Sequence, residues 1–302
     1  VELKHLQALM GIADTGSFSA AAASIGTVQS NVSAHVARLE RELEVQLVDR
    51  ASGRLTEEGQ VVTERARRVM NELEAMVADV AALREEVVGT VRLGVIGTTG
   101  RWLVPQLFDL LRVRHPHVYL NVAEGSSLQL EQWLAAGQLD LAVVTFPLSG
   151  DEVMAAELFD EDLVVVLPSG HPLSSEASLP LERLTELELL LPAPGTALRA
   201  EIDSAAGPAR VALRPAMELD GVRLIASLAF DGYGPAILPA TAVPGHLRGR
   251  FSIIPVAGLP RRRVGVAQRR RSLPSAPARA VIDVLSAVVQ DALSMPEGIH
   301  PT

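Results

Sequence analysis

A chain of 302 residues that is 48% hydrophobic and 21% charged has room for about two domains with sizeable cores. It contains no cysteine, which excludes a disulfide scaffold, a Cys-ligated zinc site and a thiol nucleophile. Taken alone, its net charge of −9 argues against a nucleic-acid partner, and no apolar run is long enough to span a bilayer.

Leu3, Leu6, Leu9, Met10 and Ala13 recur at helical spacing, and Asp14-Thr15-Gly16-Ser17 breaks that first helix. Ser19 is the expected N-cap of a second helix over Ala20–Ile25, which Gly26 ends. A third helix is expected from about Gln29 to Leu43, and residues 45–55, centred on Ser52-Gly53, read as a small hairpin. In the third helix Val32, Val36, Leu39 and Leu43 share one face. The opposite face carries Ser30, Ala34, Ala37 and Arg41, flanked by Asn31, Ser33 and Arg38. Small polar residues at its start and arginines further along suit a helix whose first turns approach base edges in the major groove. Gln29 stands where its amide can meet an adenine, and Arg50 and Arg54 in the hairpin suit phosphates. On these residues alone, an Ala-rich helical hairpin with a solvated polar face fits equally well, because the segment through Glu58 holds more acids than bases.

After Gly59, Val62, Ala66, Val69, Leu73, Met76, Val80, Leu83 and Val87 alternate at spacings of four and three. That heptad seam predicts one long helix over residues 59–89 that pairs with a second copy of itself, in preference to an amphipathic helix packed on its own protein. From Thr90 the pattern becomes β-α-β-α-β, with strands at residues 91–95, 119–122 and 139–144, and then again at 163–167, 189–191, 236–238 and 264–267. A last helix is expected over 276–293, followed by a frayed tail from Met295. The arginines at 261–263 and 269–271 read as a solvated edge around the strand at 264–267. The expected organisation is therefore α plus α/β. Residues 1–58 form a DNA-reading helix-turn-helix and 59–89 a linker helix. Residues 90–302 form a two-lobed α/β domain, with lobe I about 90–161 and 267–295 and lobe II about 162–266.

A ligand in such a domain belongs between the lobes, at strand C-termini and helix N-termini. Gly97-Thr98-Thr99-Gly100, Gly125-Ser126-Ser127 and Pro194-Gly195-Thr196 all precede helices there. Their hydroxyls and free N–H groups suit a carboxylate or another small anion, although capping a helix is the commonest task of such residues. Phe146, Asp220 and Tyr233 complete the candidate effector set. Gly94, Gly97 and Gly100 lack the spacing of a dinucleotide loop, and neither metal-ligand spacing nor a nucleophile motif is present. No catalytic set can be assembled, so an enzyme is not expected. Nor is a cofactor or a metal.

Five short motifs follow one another in order: 16–22 (Gly-Ser-Phe-Ser-Ala-Ala-Ala), 28–33 (Val-Gln-Ser-Asn-Val-Ser), 39–43 (Leu-Glu-Arg-Glu-Leu), 45–50 (Val-Gln-Leu-Val-Asp-Arg) and 55–59 (Leu-Thr-Glu-Glu-Gly). Further on come Leu139-Asp140-Leu141-Ala142, the Leu-Pro-Ser-Gly-His-Pro-Leu run at 167–173 and the run at 232–239 (Gly-Tyr-Gly-Pro-Ala-Ile-Leu-Pro). Together these resemble the LysR-type transcriptional regulators over nearly the whole chain. The resemblance implies a winged helix-turn-helix and an effector domain like the type 2 periplasmic binding proteins. It also implies a homodimer, often a dimer of dimers, on an interrupted palindrome of double-stranded DNA. A small-molecule effector and RNA polymerase are the further partners, and the compartment is cytoplasmic, with no membrane attachment. Four positions depart from the family pattern: Val28 where Ser or Thr is usual, Ala34 where a larger polar residue is usual, Glu44 for a common Gly and Val48 for a common Phe.

Overall fold

Leu6, Leu9 and Ile12 line one face of α1 (Leu3–Thr15) and are buried against Ala21 and Ala22 of α2 (Phe18–Ser24) and Val32, Val36 and Leu39 of α3 (Gln29–Leu43). The computed structural model describes residues 1–84, 86–168, 170–244, 250–291 and 295–302. Gly16 ends α1 in the left-handed region at φ 73°, which turns the chain so that Ser17 is extended. Ser17 Oγ, rather than the expected Ser19, then accepts the Ala20 N–H at 3.1 Å and caps α2. The hairpin after α3 is reduced to a single antiparallel bridge, Val48 with Leu55.

Glu44 closes α3 with φ 57°. A non-glycine residue in that region costs about 1–2 kcal/mol, and helices commonly place Gly there. Glu44→Gly is therefore expected to stabilise the N-terminal domain by about 1 kcal/mol. A rise in the urea midpoint at unchanged slope would register it, and an unchanged or lower midpoint would contradict it.

The linker helix α4 spans Glu57–Ala82, capped by Thr56 Oγ1 on the Gly59 N–H at 3.0 Å. It ends seven residues short of the expected 89, and Glu85 lies outside the described residues. One face of α4 docks on the effector domain. Arg68 donates to Ala135 O at 3.1 and 2.5 Å, and Asn71 donates to Gly137 O at 2.9 Å. Asp79 Oδ1 accepts the Ala276 N–H at 2.7 Å. Gly137 has φ 77°, and a Cβ there would press on Arg68 and Arg67 of α4.

Two six-stranded sheets follow. The first sheet holds β1 (Gly89–Val95), β2 (Val118–Glu124), β3 (Leu141–Thr145), β4 (Val153–Glu161), β11 (Arg262–Arg269) and β12 (Ile299–Pro301), in the order β12-β4-β11-β3-β1-β2. Helices α5 (Gly97–Arg114) and α9 (Ala276–Gln290) cover one face with Leu103, Leu107, Val281 and Leu285. Helix α6 (Ser127–Ala135) covers the other with Leu130 and Leu134. The second sheet holds β5 (Leu163–Pro168), β6 (Leu179–Pro180), β7 (Glu188–Pro192), β8 (Arg214–Leu219), β9 (Ala236–Pro239) and β10 (Phe251–Ala257), in the order β6-β10-β5-β9-β7-β8. Here the strand period of two is plain. Leu189 and Leu191 face Leu198 and Ile202 of α7 (Ala197–Ala206), while Leu190 joins Ile225 and Ala229 of α8 (Val222–Phe230) on the other face.

Several boundaries differ from expectation. The chain returns to lobe I at Arg262, not at residue 267, because β11 pairs from its first residue with β4. Strand β4 itself, along with β6, β8 and β10, is not among the strands expected from the sequence. The tail is not wholly frayed: Ile299 is buried and residues 299–301 pair with β4. The last helix stops at Gln290, and residues 292–294 lie outside the described residues, as does Ser169 of the 167–173 run. No helix among the described residues is long and apolar enough to cross a membrane.

The lobes are joined where β4 runs into β5 and where β10 runs into β11. A charged cluster fills that hinge. Arg262, 8% exposed rather than solvated, meets Glu161 Oε1 at 3.0 Å and Glu201 of α7 at 3.0 Å. Glu161 is fully buried and also accepts the Thr241 hydroxyl at 2.8 Å. Burial pushes both carboxyls above the ordinary range, and Arg262 opposes that shift at each.

Candidate functional site

The start of α3 projects into solvent. Gln29, Ser30, Asn31 and Ala34 are exposed, with Val28 before them as the N-cap. Ser33 is half-buried and accepts from Arg50 Nη1 at 3.1 Å. The structure thus joins Arg50 of the wing to the face of α3. Arg50 also lies 5.2 Å from the Phe18 ring centroid and pairs with Glu40 Oε2 at 2.9 Å. Arg54 is exposed near the wing tip, and no side-chain partner is found for it among the described residues. Arg38 turns the other way, pairing with Glu42 at 3.2 Å and approaching Glu2 at 3.9 Å. The Asn31 amide is occupied by Thr27 Oγ1 at 3.0 Å.

Glu40 was not among the expected site residues. Its Oε1 accepts the Leu47 and Val48 N–H groups at 2.9 and 3.2 Å, while Oε2 holds Arg50. One carboxylate therefore closes the turn between α3 and the wing and also aims the wing arginine. A glutamate on a helix reads as a solvated side chain. Only the two N–H groups seven and eight residues later distinguish this one, and periodicity does not reveal them.

At the effector domain, β1, β2 and β3 end together, since Val95 pairs with both Glu124 and Val143. Thr98 and Thr99 occupy the first turn of α5 and are buried, and the Thr99 hydroxyl has no partner among the described residues. Ser126 caps α6 through the Gln129 N–H at 3.3 Å. Ser127 Oγ lies 2.9 Å from Thr145 Oγ1 and accepts the Thr145 N–H at 3.0 Å. Phe146, half-buried, follows directly. In lobe II, Thr196 is engaged locally, capping α7 through the Arg199 N–H at 3.3 Å and donating to Ala193 O at 2.8 Å. Asp220 is exposed, and Tyr233 is 71% exposed.

A cleft of about 670 Å³ opens between α5 and α8, in the size range of small-ligand sites. Gly97, Thr98, Arg101 and Glu124 line it from lobe I, and Arg223, Ser227 and Asp231 from lobe II. Of the eight expected effector residues, only Thr98 lines this cleft. An ion pair not anticipated from the sequence, Arg223 with Glu124, crosses it from lobe to lobe. A side chain at Gly97 would collide with the Glu124 carboxylate, so the glycine leaves that pair its room.

Two family profiles match the chain: "Bacterial regulatory helix-turn-helix protein, lysR family" over residues 3–60 and "LysR substrate binding domain" over residues 84–290. The chain belongs to the LysR family of transcription regulators. A "Probable hydrogen peroxide-inducible genes activator" of Streptomyces viridosporus is 34% identical over 279 residues, 88% of either chain. A "Probable RuBisCO transcriptional regulator" of Cyanidium caldarium is 30% identical over 254 residues, covering 82% of this chain and 80% of that one. Among solved structures, a full-length OxyR of Pseudomonas aeruginosa with a cysteine-to-aspartate substitution superposes at a TM-score of 0.79. It is 26% identical and covers 99% of this chain and 97% of its own. As a LysR-family member the chain binds DNA through its N-terminal helix-turn-helix and is a regulator, not an enzyme.

Proposed function

We propose that this LysR-family regulator binds an interrupted palindrome as a homodimer, reading bases with the start of α3 and phosphates with Arg50 and Arg54. In this reading a small anionic or zwitterionic metabolite, held where α5 and α6 begin, sets its activity. The observation that carries the DNA-reading face is the exposed start of α3 with Arg50 fixed beside Ser33. In gel shifts at fixed salt, Gln29→Ala, Ser33→Ala and Arg50→Ala are each expected to weaken operator binding. Unchanged affinity in all three would remove this face from the assignment.

The dimer rests on the later part of the α4 seam, since Val62 and Ala66 at its start pack into the N-terminal core of the same chain. Val69 is 45% exposed, Met76 57%, Val80 54% and Leu83 86%, on the side of the helix away from buried Ala78 and the docked Asn71. A row of apolar residues at a and d spacing, left in water by a single chain, matches the surface that a coiled-coil partner buries. Val69→Lys with Met76→Lys is expected to shift the protein from dimer to monomer in sedimentation and to weaken operator binding at least ten-fold through lost avidity. A dimer of unchanged stability would locate the pairing elsewhere.

The relatives named for peroxide and for RuBisCO do not share one signal in their names. This chain has no cysteine, so the reversible thiol oxidation that peroxide drives on proteins is closed to it. Helix N-termini carrying Thr98, Ser126 and Ser127 favour an anionic group instead. A thermal-shift panel of anionic, zwitterionic, neutral and cationic metabolites tests this reading, and stabilisation by neutral or cationic compounds alone would overturn it.

A further inference from the structure

Val28 sits at the tip of the DNA-reading helix and is 59% exposed. It is the N-cap of α3, with extended backbone at φ −103° and ψ 152°, and its side chain makes no cap. A hydroxyl or carboxylate at that position accepts one of the orphan N–H groups of the first turn, which stabilises a helix by about 1 kcal/mol. Valine forgoes that gain and leaves an isopropyl group in water. The first turn is braced instead by Asn31 Nδ2 on Thr27 Oγ1 at 3.0 Å, which leaves Val28 and Gln29 free at the helix start. Six residues on, nearly two turns along the helix, Ala34 is also exposed and apolar. The major groove presents one apolar group, the C5-methyl of thymine, and small apolar side chains are its usual contacts.

We propose that Val28, with Ala34 six residues behind it, is a specificity-determining residue that reads thymine methyl groups in each half-site. The neighbouring Gln29 supplies the polar part of the same readout. This inference rests on the assignment of α3 as the reading element, and its test separates the two.

The operator is first selected from random duplex DNA with the full-length protein. Each thymine of a half-site is then replaced by deoxyuridine, which removes the methyl and nothing else. At one or two positions uracil is expected to weaken binding about three- to five-fold, the value of one buried methyl, and roughly the square of that when both half-sites are changed. In Val28→Ala the same uracil substitution is expected to cost less than two-fold, so that the double-mutant cycle places the methyl on Val28. Val28→Ser supplies a cap, so it should fold at least as stably as the native chain while also losing the uracil sensitivity. A flat uracil scan, or sensitivity kept in full by Val28→Ala and Val28→Ser, overturns the proposal. If Gln29→Ala and Arg50→Ala leave affinity unchanged, the reading element itself is misassigned and the proposal falls with it. If those two weaken binding while the uracil scan is flat, Val28 alone is misassigned.

Discussion

Glu40→Ala is expected to lower the stability of the N-terminal domain by about 2–4 kcal/mol and to weaken operator binding more than ten-fold even where the domain is folded. The stability loss follows from the Leu47 and Val48 N–H groups, both in fully buried residues, which lose their acceptor together. An orphaned buried donor costs about 1–3 kcal/mol. The affinity loss follows from Arg50, which keeps Ser33 and the Phe18 ring but is no longer held by a carboxylate. A dimer carries the defect twice. Glu40→Gln separates the two effects, since its amide oxygen still accepts the N–H pair while the anionic acceptor facing Arg50 is replaced by an amide NH2 that cannot accept from it. It should melt near the native temperature and still bind DNA weakly. Arg50→Ala should flatten the dependence of affinity on salt by about one counterion per half-site. A Glu40→Ala protein with native affinity and native salt slope would sink the positioning role.

Arg262→Met is expected to destabilise the effector domain by about 3–5 kcal/mol at neutral pH, because it strands the fully buried Glu161 and leaves Glu201 unpaired. Burial already pushes the Glu161 carboxyl upward, and Arg262 is the main opposing influence. In the variant the folded-state pKa therefore rises further above the unfolded value. A raised carboxyl pKa means that the folded state holds a proton the unfolded state releases. The penalty is then small below the unfolded carboxylate range of about 4.3 and grows as pH rises toward the folded value. The deficit of the variant should accordingly shrink between pH 7 and pH 5, and adding Glu161→Gln should recover much of it at pH 7. Denaturant titrations at both pH values decide the matter; a deficit that does not change with pH would show that the ionised carboxylate is not its cause.

The sequence is legible where a pattern is local. The α3 boundaries follow from the Val32, Val36 and Leu39 stripe, and Glu44 is marked as unusual before its left-handed geometry is seen. What cannot be read is set by distant partners. Arg261-Arg262-Arg263 has the look of a solvated edge, yet Arg262 is buried because Glu161 and Glu201 arrive from a hundred and from sixty residues away. Ile299 joins a sheet edge rather than fraying because β4 offers it an unpaired strand. The effector residues show the same limit. Hydroxyls at helix starts are easy to list, but their partners differ. Thr196 spends its hydroxyl on its own turn, Ser127 on Thr145, and only Thr98 lines the open cleft.

Helix α6 touches both ends of the regulator's task. Its first residues sit where Ser127 meets Thr145, and the carbonyls of its last residue, Ala135, and of Gly137 just beyond are gripped by Arg68 and Asn71 of the linker helix. Nine residues of α-helix measure about 13.5 Å and resist compression along the axis. The helix is therefore one rigid link between the Ser127–Thr145 contact and the linker helix. Lobe II is tied to lobe I by two strand crossings, the charged hinge and the Arg223–Glu124 pair. The bonds that hold α4 to the effector domain fall on lobe I, at Ala135, Gly137, Arg92 and Ala276, so the N-terminal domain takes its seat from that lobe.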